Sequence, residues 1–240
     1  MKRIHHPSTA GTLLLLAGSA ILLGIVTAEA LYPAAYRTDE NTISDLGGTR
    51  PPDSVVLQPS AAIFDATMVV TGLMIVFAAY LIHRGLARRA TAIATGLLGL
   101  GVLGVGVFPG NTGPHPAFAM LAFIAGGIAA IASSRALAPP LRYVFAGDGA
   151  IALTALAVGV FLLDWAPVAS LGEGGVERWV AYPVVLWLVG FGANLATAVP
   201  GGARTSGARA EVPAWAGPST VAPAAPAAQA EVEHRVGRRR

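Results

Sequence analysis

Ser44, Asp45, Asp65 and His115 are the side chains of this sequence whose types could act together. A hydroxyl, two carboxylates and an imidazole can bind a polar headgroup or solute, hold a cation or pass a proton. Asp65 lies about one and a half turns inside an apolar stretch. A carboxylate is costly there and normally faces a bundle interior or a wet cavity, so the position reads as a site. Local roles compete with a shared one. Asp45 can order its own turn by accepting from backbone N–H groups, and His115, between Pro114 and Pro116, can order the start of the next helix. A second pair, Asp148 and Asn194, lies at matching depth in two later apolar stretches, where the two could hydrogen-bond across a bundle. Glue between helices is the expected role of that pair, because few polar groups connect it to Asp65.

Other chemistry is poorly provided for. With no cysteine the chain has no disulfide, no thiolate nucleophile and no cysteine-ligated metal. It carries no H-E-x-x-H, no P-loop and no G-x-S-x-G. His5 and His6 are adjacent but sit at the terminus, which leaves His115 as the one imidazole beside the polar residues above. A metal-dependent membrane hydrolase, in which Ser, Asp and several His meet at a membrane face, is therefore short of ligands. No catalytic residue is assigned, no cofactor is expected, and the metal question stays open.

The elements that must position these residues are membrane spans. At about 1.5 Å rise per residue, roughly 20 apolar residues cross a bilayer core. Six stretches qualify: 11–31, 61–81, 90–107, 117–133, 143–163 and 179–199. With 54% hydrophobic and 12% charged residues and a mean hydropathy of +0.62, the chain is too apolar for a water-facing surface. The fold class is all-α, a six-helix transmembrane bundle formed by residues 1–199.

Basic residues set the orientation. With the N-terminus in the cytoplasm, 13 of the 16 Lys and Arg residues fall inside, and only Arg37, Arg50 and Arg178 fall outside. Both termini are then cytoplasmic, and a multi-pass protein of a bacterial plasma membrane is expected. Tyr32, Phe108, Trp165 and Trp179 stand where an outer aromatic belt would be, and Tyr80 and Tyr143 where an inner one would be. The first 30 residues also resemble a secretory signal, with Ala28-Glu29-Ala30 as a cleavage site. The apolar run is longer than a signal core, and an even span number keeps the basic tail inside, so a retained first span is expected.

A long outer loop, 32–60, rich in Pro and Gly, separates spans 1 and 2. Residues 200–240 shift to Pro, Ala, Gly and Arg, a composition that buries too little apolar surface to order, and form a disordered cytoplasmic tail. Its Arg235, Arg238, Arg239 and Arg240 could touch anionic lipid. Membrane lipids are thus the expected partners, nucleic acid is not, and protein partners cannot be read. Ala122, Gly126, Ala130 and Ser134 repeat every four residues as a contact face. Gly96, Gly99, Gly101, Gly104 and Gly106 do not share one face, which points to close packing on several sides.

The run Asn41-Thr42-Ile43-Ser44-Asp45-Leu46-Gly47, with Pro59-Ser60, Ile63-Phe64-Asp65, Gly106-Val107-Phe108-Pro109 and His115, resembles the bacterial and archaeal family called domain of unknown function 998. The likeness runs through motifs to about Ser133 and through six-span organisation beyond it. The loop pattern is similar, more distantly, to the damage-regulated autophagy modulator family of eukaryotic membrane proteins. The resemblance implies a membrane fold and brings no reaction, and Asp65 stands where the family pattern leads one to expect Asn. The function expected is non-enzymatic binding of a lipid headgroup or small solute at an outward polar site. A small-solute or proton-coupled carrier is the second reading and a metal-dependent hydrolase the third.

Overall fold

A computed structural model describes residues 6–86 and 88–197, and among these residues the only regular elements are helices. They are α1 His6–Ala30, a 3-10 turn Ile43–Leu46, α2 Ser60–Gly85, α3 Arg89–Val107, α4 His115–Ser134, α5 Leu141–Phe161, the short α6 Ala166–Ala169, and α7 Gly172–Thr197. All but α6 and the 3-10 turn are long and apolar enough to cross a membrane. Three of them start behind a proline: Pro59 before α2, Pro114 before α4 and Pro140 before α5. Proline presets the helical φ, and the N–H it lacks would be an orphan at a helix start anyway. The tail assigned to 200–240, with Arg235, Arg238, Arg239 and Arg240, lies outside the described residues, as do Lys2 and Arg3.

The six spans form a closed ring in which each packs on its sequence neighbour and α7 returns to α1. Phe64, Met68, Ile75, Leu98, Trp187 and Leu188 fill the middle. Close approach comes from glycines, which let helix backbones meet without a hydrophobic effect inside lipid. Those of α3 point two ways: a Cβ on Gly99 would press on Val76 of α2, and one on Gly101 on the Ala122 backbone of α4. Ala122, Gly126, Ala130 and Ser134 are all buried, and Gly126 abuts Val184 of α7. Trp187 Nε1 donates to Ser133 Oγ at 2.8 Å, a buried link between α7 and α4.

Helix limits shift from the hydropathy limits mainly at α7, which begins seven residues before the expected 179. Gly172-Glu173-Gly174-Gly175 reads as loop by composition, yet its small residues are what allow the loop to rest on the helix. Gly172, at φ +68°, and Gly174 meet the backbone of Asp39 and of Asn41 and Thr38, and Gly174 N donates to Asp39 O at 3.1 Å. Residues 31–59, 108–114 and 162–171 all join spans at this end, the loop-bearing face. Trp165 and Trp179 near this end, and Tyr80 and Tyr143 near the other, are exposed, whereas Tyr32 packs on Tyr36 and Phe108 stacks on Phe118.

Candidate functional site

The 31–59 loop is held over the bundle by Arg178, in the second turn of α7. Its Nη2 donates to Glu29 Oε1 at 2.6 Å and to Tyr36 Oη at 2.9 Å. Its Nη1 faces the carbonyls of Thr38, Asn41 and Gly174 at 2.9, 3.0 and 2.9 Å. Tyr36 in turn donates to Thr42 O at 2.8 Å. Burial pushes the Tyr36 phenol well above its ordinary range, although the guanidinium beside it pulls the other way. On the exposed rim, the guanidinium of Arg37 holds the Asp39 carboxyl below its usual range.

That clamp sets the 3-10 turn. Thr42 and Asp45 form a capping box: Thr42 N donates to Asp45 Oδ2 at 2.8 Å and Asp45 N to Thr42 Oγ1 at 3.2 Å. Ile43 and Leu46 plug the core, and Ser60 Oγ ties Leu46 O to the start of α2 at 3.2 Å. The turn thereby delivers Ser44 to a polar cluster. His115 Nε2 lies 2.9 Å from Ser44 Oγ, and Glu177 Oε1 lies 3.2 Å from the same oxygen. Glu177 Oε2 also accepts from Ile43 N at 2.5 Å.

Hydrogen bookkeeping fixes the roles in this cluster. His115 Nδ1 stands 2.7 Å from the Phe108 carbonyl. A carbonyl only accepts, so Nδ1 carries hydrogen and the neutral ring offers a lone pair at Nε2. Ser44 has one hydroxyl hydrogen for two acceptors. Both contacts are satisfied together only when one further proton is present, on the ring or on Glu177. With the ring charged, Nε2–H donates to Ser44 and the hydroxyl turns to Glu177. With the ring neutral, the hydroxyl turns to Nε2. In either state the Ser44 proton points at a base.

Of the four residues expected at one site, Ser44 and His115 are in contact. Asp45 is engaged with its own turn, and Asp65 Oδ1 is buried against Gly47 with no hydrogen-bond partner. Asp148 and Asn194 are each partly exposed, and no side-chain hydrogen bond joins them. Hydropathy alone puts Glu177 and Arg178 in a connecting loop. Two adjacent opposite charges just before an apolar run were the signal that both could be turned inward.

Ser44, His115 and Glu177 line a groove of about 410 Å³ between α4, α5 and α7. Arg50, Glu173 and Thr42 share its loop end, and Arg50 pairs with Glu173 at 3.1 Å. Farther along, the walls are apolar, with Met120, Phe123, Leu156, Val160, Val176 and Val180. Met120 and Val160 are exposed, so the groove opens sideways where lipid chains would lie. Ser44 and Glu177 also border a smaller apolar cavity of about 80 Å³ inside the ring. Among the described residues, no three His, Cys, Asp or Glu side chains converge to hold a metal.

No curated protein and no solved structure matches this chain. The model of one family, described as a protein of unknown function (DUF998), matches residues 15–194, and this multi-pass membrane protein belongs to that family.

Proposed function

We propose that the chain binds a membrane lipid from the leaflet at its loop-bearing face. The headgroup would lie against Ser44, His115, Glu177 and Arg50, and one chain along α4 and α5. The observation that carries this reading is the division of the groove: polar groups at its loop end, apolar walls for the next two turns, and a lateral mouth. From His115 to Phe123 the apolar wall runs roughly 12 Å, at about 1.5 Å per residue, enough for the upper part of an acyl chain. Its volume falls in the usual range for ligand sites. A water-soluble ligand would have no use for such walls.

The leaflet is proposed to be the outer one of a plasma membrane, with both termini cytoplasmic, on the distribution of Lys and Arg. Retention of the first span is supported by α1, which closes the ring between α2 and α7. A carrier is less favoured, because its discontinuous helices have no counterpart in the spans among the described residues.

Photoactivatable phosphatidylglycerol and phosphatidylethanolamine, reconstituted with the full chain, test the reading. Cross-links are expected on residues 116–123 and 156–163. Cross-links spread evenly around the ring would overturn it.

A further inference from the structure

We propose that the Ser44–His115 pair is a catalytic dyad that cleaves a carboxylic ester of the lipid held in the groove, an inference that rests on the lipid-binding reading above. Three observations meet at Ser44. Its Oγ is 2.9 Å from a ring nitrogen whose lone pair is fixed by the Phe108 carbonyl on the far side. That carbonyl does for His115 what an acidic partner does in other dyads and triads: it sets tautomer and ring orientation. Second, Ser44 and His115 both line the open groove, which a bond made only to lock the loop would not require. Third, Ser44 stands where the polar end of the groove gives way to apolar wall. In a glycerolipid the ester carbonyls lie at that same boundary, between headgroup and chains.

The step balances without a metal or redox partner. Ser44 Oγ bonds to the ester carbonyl carbon while its hydrogen passes to His115 Nε2. The tetrahedral intermediate collapses, its bond to the leaving alcohol oxygen breaks, and that oxygen takes the proton from Nε2. Water then attacks the acyl-Ser44 carbonyl, giving its proton to Nε2, and Ser44 leaves with that proton restored. One ester and one water become a carboxylic acid and an alcohol. The Arg50 guanidinium, paired with Glu173 at 3.1 Å, lines the same groove and is the positive group proposed to face the oxyanion. Glu177, beside Ser44, offsets the charge of the imidazolium while it exists.

An ethyl fluorophosphonate probe reads the dyad directly, since it needs an activated serine and no lipid chain. The full chain in lipid nanodiscs is treated, and adducts are located by intact mass and peptide mapping. One adduct on Ser44 is expected, absent from Ser44→Ala and formed at least 10-fold more slowly in His115→Gln, each variant being checked for an unchanged melting temperature. If His115→Gln fails to fold, the wild-type adduct map and release of fatty acid from a short-chain diacylglycerol ester, lost in Ser44→Ala, decide the matter. An unmodified Ser44 in a protein whose groove still cross-links lipid would overturn the dyad and leave lipid binding standing. Labelling of Ser44 with cross-links spread around the ring would keep the dyad and overturn the groove.

Discussion

Arg178 Nη2 stands 2.6 Å from Glu29 Oε1 and joins the loop-bearing ends of the first and last spans. The two side chains are only 10% and 21% exposed, so water competes weakly for either charge. Arg50 and Glu173 are 65% and 49% exposed, and screening leaves such a pair about 0–1 kcal/mol. Breaking a buried pair from one side leaves an uncompensated charge at a cost of about 3–5 kcal/mol. Arg178→Met should therefore lower unfolding free energy in detergent by about that much, and Arg50→Met by less than about 1 kcal/mol. Equal losses in the two variants would place the clamp elsewhere.

The glycines at the start of α7 give two opposite expectations one residue apart. A Cβ at Gly174 would press on the carbonyls of Asn41 and Thr38, which the clamp holds in place. Gly174→Ala should destabilise by about 1–3 kcal/mol, the usual range for overpacking. At Gly175 a Cβ would meet only Leu171 Cβ, at an ordinary 3.4 Å. Gly175→Ala should stabilise, by up to about 1 kcal/mol of helix propensity. Thermal melts of both variants check the sign.

How much of this was legible follows from what each pattern encodes. Hydropathy counts residues along an axis, so it finds all six spans and misses furthest at the start of α7, by seven residues. It carries no azimuth, and residues of equal depth such as Asp148 and Asn194 need not meet. Ser44 and His115 could be singled out because the motif of the long loop and the start of the fourth span carry them to the same end of the bundle. Glu177 carries a weaker signal, its adjacent opposite charge at Arg178, and the Gly-rich stretch before it reads as loop until the loop carbonyls that fill its missing side chains are seen.

Tyr36 predicts an alkaline limb. Burial pushes its phenol up, so the folded chain holds that proton more tightly than the unfolded one. The contribution is complete below the ordinary phenol value of about 10 and is lost as pH rises from there toward the higher folded-state value. Melting temperature should fall through that window, and Tyr36→Phe should flatten the fall, because it keeps the buried ring and removes the titrating group. A limb of unchanged steepness in Tyr36→Phe would assign the effect to other groups.

Orientation is open to cysteine labelling, since the chain has no cysteine of its own. Val55 is exposed in the long loop, and Leu86 follows α2 at the opposite end. With intact cells, a membrane-impermeant maleimide should modify Val55→Cys and leave Leu86→Cys unmodified until the cells are opened. The reverse pattern would invert the topology and move the groove to the cytoplasmic leaflet.

Asp45 and Asp65 separate a structural carboxylate from one without a partner. Asp45 Oδ2 accepts from Thr42 N within a capping box, so Asp45→Ala strands a partly buried donor. The expected cost is about 1–3 kcal/mol, the range for an unsatisfied buried group. Asp65 Oδ1 has no hydrogen bond to lose, and Asn reproduces its shape beside Gly47. Asp65→Asn should change stability by no more than about 0.5 kcal/mol, as substitutions without a lost partner usually do. The same melts, repeated with and without added divalent cations, compare the two. If Asp65→Asn costs as much as Asp45→Ala, its carboxylate holds a bound ion or water that stabilises the fold, and Asp65 then belongs with the functional groups of the loop-bearing face.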